Sequence, residues 1–297
     1  MLTLVMLLAD TALRAIAVPV APAETLHVME AGKGDAVVLV PGLFGSAFAY
    51  RQVAPLLVAA GRRAIVIEPL GVGHSARPKS ADYSLAKQAE RIAAALDSLR
   101  VTGAIVVAHS VASTIAFRLA IRRPDLVHGI VSLEGGIAES ATTPGFRQAM
   151  RFAPLLRLFG GMGAIRGSIR KQLLAASADT GWVTDQVVLG YTAGAARDLG
   201  ATLRAFGAMG RSVEPDSLAP RLREVRCPVL LLLGGAPHEG GPPTTETALL
   251  ADGIPWLVSD ALPGVGHFIH EEAPAQVAAA VDRMRVTITV LGPLFHP

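Results

Sequence analysis

Short apolar runs that alternate with longer helix-like segments are the feature that most constrains the fold of this chain. The runs are five to seven residues long, and the amphipathic 3.6-residue period of helices occupies 47–60, 85–99, 111–122 and 274–285. This alternation predicts a mostly parallel sheet flanked by helices, an α/β fold. Because the runs are continuously apolar, we expect strands buried on both faces at 36–40, 64–68, 104–108, 129–134, 228–234 and 256–262.

One long interval breaks this rhythm. Residues 137–215 contain helix-like sequence but no strand pattern, which predicts an insertion between two strands. Such an insertion leaves the sheet at its carboxyl edge, where α/β folds bind their ligands. We therefore predict an N-terminal apolar extension at 1–23, a core formed by 24–136 and 216–297, and a helical cap over the site at 137–215.

The N-terminal extension is apolar and ends in Ala-Pro-Ala. We interpret it as an amphipathic helix packed on the domain, with a cleaved signal segment and a peripheral membrane anchor as alternatives. Asp10 and Arg14 interrupt the apolar run, so it is a poor membrane span. These features favour a cytoplasmic location over a secreted or periplasmic one, with membrane contact through this segment or the cap as an open alternative.

Composition and motifs narrow the classes of partner. The chain has 27 basic and 24 acidic residues and no basic stripe interleaved with aromatics, so we expect no nucleic-acid partner. Cys227 is the single cysteine, which excludes an internal disulfide and every multi-cysteine zinc site. The sequence has no HExxH, phosphate-loop or dinucleotide motif, so we expect neither a metal nor an organic cofactor. A small-molecule substrate is the expected partner.

A serine lies where one predicted strand turns into a helix. In the stretch VVAHSVAS, Ser110 has Ala108 and Ala112 two places away on either side, and these small residues let strand and helix approach closely. A hydroxyl at such a turn projects above the sheet edge, beside the N–H groups that begin the helix. An ordinary serine at a helix N-terminus is the alternative interpretation.

This turn resembles the nucleophile elbow of the α/β-hydrolase family, usually G-x-S-x-G and here AHSVA at 108–112. Three more stretches resemble family motifs in the same order: ETLHVMEAGKGDAVVLVPGLFGS, VIEPLGVGHSARP and LPGVGHFIHEEAP. The resemblance covers residues 24–136 and 216–290. It departs from the family in both elbow glycines and in Pro41-Gly42, where His-Gly is more usual.

The resemblance implies the roles of four residues. Ser110 is the expected nucleophile and His267 its base, since a serine hydroxyl needs a base within hydrogen-bond reach. The main-chain amides of Leu43 and Val111 are the expected oxyanion hole.

The acid of the triad departs from the usual pattern. Family members usually carry it after the strand at 228–234, where this chain has no aspartate and only Glu239. Haloalkane dehalogenases place it after the strand that here ends in Glu134, 24 residues after Ser110. We favour Glu134, with Glu239 as the second choice and the absence of a functional acid as the third.

Together these features predict a serine hydrolase without a cofactor, most simply a carboxylesterase for a hydrophobic small-molecule ester. Alternatives are a lactone, amide or carbon–carbon bond hydrolase with the same triad, or a non-catalytic receptor of the same fold. The basic residues of 146–174 face solvent or form a basic rim that attracts an anionic substrate. The candidate pocket walls are Phe44, Phe152, Trp182, Tyr191, Phe206 and Phe268; a place in the core is the favoured alternative for Phe152, Trp182, Tyr191 and Phe206.

Overall fold

A single eight-stranded sheet organises the molecule. The computed structural model describes residues 12–43, 45–140, 142 and 161–295, with side chains to residue 290. The strands are β1 (Arg14–Ala21), β2 (Glu24–Ala31), β3 (Ala36–Val40), β4 (Arg63–Ile67), β5 (Ala104–His109), β6 (Val127–Leu133), β7 (Val229–Gly234) and β8 (Leu257–Leu262).

The sheet order is β1-β2-β4-β3-β5-β6-β7-β8. The β1–β2 and β2–β4 pairs are antiparallel, and every later pair is parallel. Val38 lies opposite Val106, which lies opposite Ile130, so one register runs through the central strands. The predicted mostly parallel α/β architecture is confirmed.

Helices cover both faces of this sheet. They are α1 (Val53–Ala59), α2 (Leu85–Ser98), α3 (Ala112–Arg122), α4 (Gly161–Ala175), α5 (Asp185–Arg197), α6 (Leu199–Met209), α7 (Thr244–Gly253), α8 (Ile269–Glu272) and α9 (Pro274–Phe295). Short 3₁₀ helices occupy Ala47–Tyr50 and Ala219–Glu224. The predicted helix at 47–60 is therefore divided into a 3₁₀ helix and α1 by a turn at residues 51–52.

Alternate strand residues supply two separate core layers. Val38 and Val106 pack in one layer with α2 and α3, and Val37 and Val107 pack in the other with α1 and α9. Because successive side chains of a strand point to opposite faces, a strand covered on both sides must be apolar throughout. This explains the continuous apolar runs of the sequence.

Two predictions for the sheet edges are wrong. The strand at 256–262 is not buried on both faces, because β8 is the last strand of the sheet and Val258 is 54% exposed. The helix expected within 1–23 is wrong over 14–21, which form β1 and pair with β2 in a hairpin. Pairing with a neighbouring strand satisfies the backbone of this segment in a way that its own residue pattern does not reveal.

The described part of the insertion between β6 and β7 contains the helices α4, α5 and α6, joined by turns and loops. Its limits at 137 and 215 stay a prediction. Of the helices that the structure describes, none has both the length and the apolar character needed to cross a membrane.

A buried arginine fastens the chain where it returns from the insertion to the sheet. Arg118 of α3 is 2% exposed and donates from Nη1 to Asp216 Oδ1 (2.6 Å) and from Nη2 to the Asp216 carbonyl (2.8 Å). Its Nη2 also lies 3.5 Å from Glu214, which accepts the N–H groups of Leu85 and Ala86 at the start of α2. One guanidinium thus links α3, the returning segment and α2.

We expect Arg118→Ala to lower the free energy of unfolding by about 3 kcal/mol or more, because it opens a cavity at a buried side chain and removes the cation beside the buried carboxylate of Glu214. The matched control is Arg123→Ala, which removes exposed ion pairs with Asp97 and Asp125 and should cost less than about 1 kcal/mol. Urea unfolding followed by circular dichroism measures both. Equal losses for the two variants would contradict the anchoring role of Arg118.

Candidate active site

The loops after four neighbouring strands meet at the carboxyl edge of the sheet. Ser110 follows β5, Glu134 follows β6, His238 lies in the loop after β7, and His267 lies in the loop after β8. Because β5, β6, β7 and β8 are adjacent in that order, their loops bring the four side chains to one place.

Ser110 sits on a strained turn between β5 and α3. Its φ is 55°, in the left-handed region that residues with a side chain rarely adopt. Its main-chain N–H still donates to the Leu133 carbonyl (2.8 Å), so the sheet ladder extends one residue beyond β5. Ala108 and Ala112 are fully buried, which is where a tight strand-to-helix turn requires small side chains.

Glu134 repeats this geometry on the next strand. Its φ is 53°, and its N–H donates to the Leu232 carbonyl (2.9 Å). Its carboxylate is buried: Oε1 accepts the N–H of Gly234, and Oε2 lies 3.4 Å from Nδ1 of His267. Burial raises the pKa of Glu134, but the hydrogen bonds from His267, Gly234 and His238 outweigh it and hold the pKa below its usual value. The carboxylate is therefore ionised at neutral pH.

Glu239, the second choice for the acid, is placed differently. It is exposed and lines the same cavity as His267, and its main-chain N–H donates to the Ala175 carbonyl (3.3 Å). Within the described part of the chain its carboxylate makes no hydrogen bond to His267. Of the two candidates, only Glu134 meets the imidazole.

His238 is a second histidine on the same carboxylate. Its Nε2 lies 2.9 Å from Glu134 Oε2, and its Nδ1 lies 2.7 Å from the Ala236 carbonyl. A carbonyl and an ionised carboxylate only accept hydrogen bonds, so both ring nitrogens must carry protons. Burial lowers the pKa of His238, but the bonds to Ala236 and Glu134 outweigh it and raise the pKa. His238 is thus an imidazolium that shares Glu134 with His267.

His109 supports the loop that carries His267. It precedes Ser110, and its Nε2–H donates to the His267 carbonyl (3.1 Å). Burial, followed by repulsion from His270 and His267, lowers its pKa well below the usual value, so it is neutral. The imidazole therefore acts as a fixed spacer between the elbow and the His267 loop.

The loop after β3 is packed closely against the elbow. A Cβ at Gly42 would lie 3.1 Å from His109 Nδ1 and 3.5 Å from Ser110 Cβ, so only glycine allows this approach without displacement. Ala47, beyond the turn, donates its N–H to the buried carboxylate of Glu68 (2.7 Å). This packing brings Leu43 and Val111 to the cavity wall beside Ser110.

A cavity of about 370 Å³ opens over these residues. Ser110, His267, Leu43 and Val111 line it, together with apolar side chains of α4. No hydrogen bond joins Ser110 to His267 within the described residues, although both face this cavity. Contacts of this kind are often loose without substrate and shorten when it binds.

The expected pocket walls divide into three groups. Phe268 and Tyr191 line the large cavity, and Phe206 lines a second cavity of about 190 Å³ beside it. Trp182 lines neither: it stacks edge-on behind Phe268, with ring centroids 5.5 Å apart. Phe44 and Phe152 lie outside the described residues.

Two trios of side chains bring possible metal ligands within 4.8 Å of one another. They are His27, Glu68 and His74, and Glu134, His238 and His267. In the first, Glu68 accepts from His27 Nδ1 (3.0 Å) and from main-chain N–H groups; in the second, Glu134 accepts from both imidazoles. Hydrogen bonds account for both arrangements, and we assign no metal to either.

Sequence reasoning missed His238 and His109. His238 lies in the loop from which the usual acid is missing, and an ionisable residue of the opposite sign there was a usable signal. His109 stands in the variable position of the elbow, where the pattern carries no information about its partner.

Comparisons with known proteins agree with this architecture. A model of the family described as alpha/beta hydrolase fold matches residues 35–178. Bifunctional epoxide hydrolase 2 of Rattus norvegicus is 31% identical over 117 residues, which cover 39% of this chain and 21% of that protein. The uncharacterized hydrolase YugF of Bacillus subtilis (strain 168) is 26% identical over 261 residues, covering 85% of this chain and 90% of the relative.

The curated epoxide hydrolases match this chain over only part of their own length. The chain spans between a fifth and a third of the length of the epoxide hydrolases it matches. Among solved structures, a thermophilic esterase from Thermogutta terrifontis superposes with a TM-score of 0.73 at 19% identity, over 93% of this chain and 99% of that one. At this identity the likeness shows the fold alone.

We expect His238 to be doubly protonated at neutral pH, and Glu134→Gln to lower its pKa, because the neutral amide removes the charge that stabilises the imidazolium. Titration of the ring ¹⁵N shifts by NMR measures both. Glu239→Gln is the control and should move the titration much less. A singly protonated His238 in the unaltered protein at pH 7 would refute the assignment.

Proposed function

Because the chain belongs to the α/β-hydrolase fold family, we propose that it is a serine hydrolase, most simply a carboxylesterase that acts on a hydrophobic small-molecule ester. Ser110 is the nucleophile, His267 the base and Glu134 the acid. The relatives are named as hydrolases, which supports the general class.

One observation carries this proposal. The imidazole of His267 has its Nδ1 3.4 Å from the buried carboxylate of Glu134, and it lines the same cavity as Ser110 on its left-handed turn. A carboxylate on Nδ1 fixes the tautomer in which Nδ1 carries the proton, so Nε2 is free to accept one. This is the arrangement that activates a serine hydroxyl.

Acylation follows from these positions. His267 Nε2 takes the proton of the Ser110 hydroxyl as Oγ attacks the ester carbonyl carbon. The main-chain N–H groups of Leu43 and Val111 stabilise the negative oxygen of the tetrahedral intermediate. The intermediate collapses, the C–O bond to the alcohol breaks, and His267 returns its proton to the departing alkoxide.

Deacylation repeats the sequence with water as the nucleophile. His267 Nε2 removes a proton from water, the hydroxide adds to the acyl carbon, and the same N–H groups stabilise the intermediate. Collapse releases the carboxylic acid and restores the Ser110 hydroxyl with the proton held by His267. In both steps Glu134 stabilises the imidazolium that forms and does not itself take the proton.

We propose that the cap, residues 137–215, encloses the substrate. Ile169, Gln172 and Leu173 of α4 line the large cavity. The N–H of His267 donates to the carbonyl of Ala176, just after α4 (2.8 Å), so the cap is fastened to the loop that carries the base. A substrate held under α4 would therefore contact the reacting groups directly.

Epoxide hydrolysis is a second candidate because several relatives are named for it. Chemistry argues against it here. A serine oxygen that opened an epoxide would form an alkyl ether, which has no carbonyl carbon for water to attack. Ser110 would stay modified after one turnover, whereas an acyl ester on Ser110 is released by hydrolysis.

Lactone, amide and carbon–carbon hydrolysis use the same acyl intermediate and differ in the leaving group. A non-catalytic receptor is the alternative outside enzymes. The ionised Glu134 on His267 supports catalysis, since a receptor has no need of a charge placed on an imidazole. The neutral, buried His109 shows that the chain can hold a histidine without one.

We expect a fluorophosphonate probe to label the protein, Ser110→Ala to abolish labelling, and His267→Ala to reduce it at least 100-fold, because the probe reports an activated serine. Glu134→Gln should lower kcat for a p-nitrophenyl ester about 10³-fold or more, on the scale of other triad acids. Glu239→Gln, the matched control, should stay within about threefold. No labelling of folded protein favours the receptor, and the reverse order of the two glutamates moves the acid to the later loop.

We expect His238→Gln to move the acid limb of the kcat/KM profile to higher pH, on the order of one pH unit. Both ring nitrogens of His238 face acceptors and its pKa is raised, so its positive charge opposes the second one that forms on His267, 6.2 Å away between ring centroids. Glutamine keeps a donor to Glu134 and removes the charge. A limb that does not move would show that His238 only fills space.

A further inference from the structure

Among the described residues that line the cavity beside the proposed catalytic one, a single side chain, Arg77, is charged at neutral pH. We propose that the substrate carries a free carboxylate and that Arg77 binds it in this second cavity. The inference rests on the proposed serine hydrolase function and names its substrate class: a carboxylate-bearing ester, with the anionic group at a distance from the bond that is cleaved.

The second cavity adjoins the first. Leu43, Gly45 and Tyr191, with Ile169 and Gln172 of α4, line both. The second cavity has a volume of about 190 Å³, enough for part of a small molecule. A substrate whose ester group lies at Ser110 and which extends past Leu43 would enter it.

Arg77 is held in place by its own loop. Its Nη1 donates to the Ser75 carbonyl (3.1 Å) and its Nη2 to the Gly73 carbonyl. Its Nε–H is buried and has no partner in the described structure. A guanidinium has five N–H donors and these two carbonyls take one from each terminal nitrogen, so further N–H groups remain for a ligand carboxylate. The guanidinium is thus fixed before the ligand arrives.

No carboxylate of the described chain pairs with Arg77. The two whose charges act on it are committed elsewhere: Glu68 accepts from Ala47 and His27, and Asp198 caps α6 through the N–H of Ala201 (2.8 Å). The stretch 140–178, which includes α4, contains no aspartate or glutamate, so it supplies no carboxylate either. Among the described residues, none supplies a carboxylate partner for this cation.

The rest of the wall offers little competition. Of the described lining residues, only Arg77 carries a charge at neutral pH. The hydroxyls of Thr192 and Thr202 donate back to their own helices, at Val188 O (2.7 Å) and Asp198 O (2.9 Å). Apolar walls lower the local dielectric and strengthen a charged pair, and a guanidinium matches the planar geometry of a carboxylate.

The same stretch adds a favourable field. In its described part, α4, the basic residues are Arg166, Arg170 and Lys171, with no acidic residue among them; Arg170 pairs with the exposed Asp185. Part of this stretch, α4, forms a wall of both cavities. An excess of one sign of charge around a cleft concentrates ligands of the opposite sign.

The test compares esters that differ only in a terminal carboxylate. On the acyl side, mono-p-nitrophenyl adipate and suberate are matched with p-nitrophenyl hexanoate and octanoate; on the alcohol side, 4-(butyryloxy)benzoate is matched with phenyl butyrate. We expect the protein to favour the anionic member of at least one set by about tenfold or more in kcat/KM. The set that shows the preference identifies the side of the ester that enters the second cavity.

Variants locate the preference. Arg77→Gln should lower kcat/KM for the anionic ester about 10- to 100-fold and change the neutral ester less than threefold, and Arg77→Lys should restore part of the preference. Arg197→Gln is the matched control, because Arg197 is an exposed neighbouring cation that does not line the cavity. The loss of kcat/KM for the anionic ester in Arg197→Gln should be small and should disappear in high salt.

The outcomes separate the two levels of the proposal. Ser110-dependent hydrolysis of neutral esters with no preference for anionic ones overturns the carboxylate inference and leaves the hydrolase proposal standing. Equal losses in Arg77→Gln and Arg197→Gln overturn it as well, since the preference would then be a long-range field. Failure to hydrolyse any ester overturns both. Should Arg77→Gln not fold, the preference of the unaltered protein and its response to Arg77→Lys decide.

Discussion

The buried carboxylate of Glu134 is the group on which the arrangement of this site depends. It receives hydrogen bonds from Gly234 at the end of β7, from His238 in the loop that follows, and from His267 after β8. An ionised carboxylate away from water needs several donors, and here they come from three places along the chain. The same bonds that make the charge tolerable therefore hold the loops after β7 and β8 against the end of β6.

Sequence patterns predicted most of this, and the reason differs from element to element. The central strands can be predicted from the sequence because helices cover both of their faces, which requires continuous apolar runs. The sequence does not predict strand β1 or the exposure of β8. Whether a strand lies at the edge of a sheet depends on whether another strand pairs with it, and the strand's own residues do not show this. Ser110 and Glu134 could be named from motif and spacing. The protonation of His238 could not, since it depends on two acceptors that only the folded chain brings together.

The aromatic side chains show a related limit. Composition suggests that aromatics in an insertion line a pocket, yet Trp182 stands behind Phe268 while Tyr191 reaches the cavity. Tyr191 also donates its hydroxyl to the buried Glu271 (2.7 Å). Its ring therefore lines the cavity while its oxygen makes a hydrogen bond inside the core. Helical spacing gives the direction of a side chain on its own helix, but not which neighbour stands between it and the cavity.

Strain and support are combined in the same way at two neighbouring strands. Ser110 and Glu134 both adopt a left-handed backbone, which costs on the order of 1 kcal/mol or more for a residue with a side chain. Each keeps its N–H in the ladder, on the Leu133 and Leu232 carbonyls, while the chain beyond it turns away from the sheet. The ladder bond fixes where each residue stands, and the left-handed turn fixes the direction in which its side chain leaves the strand. A hydroxyl and a carboxylate are thereby held at the sheet edge by the most rigid part of the fold, and the walls around them are left to vary with the substrate.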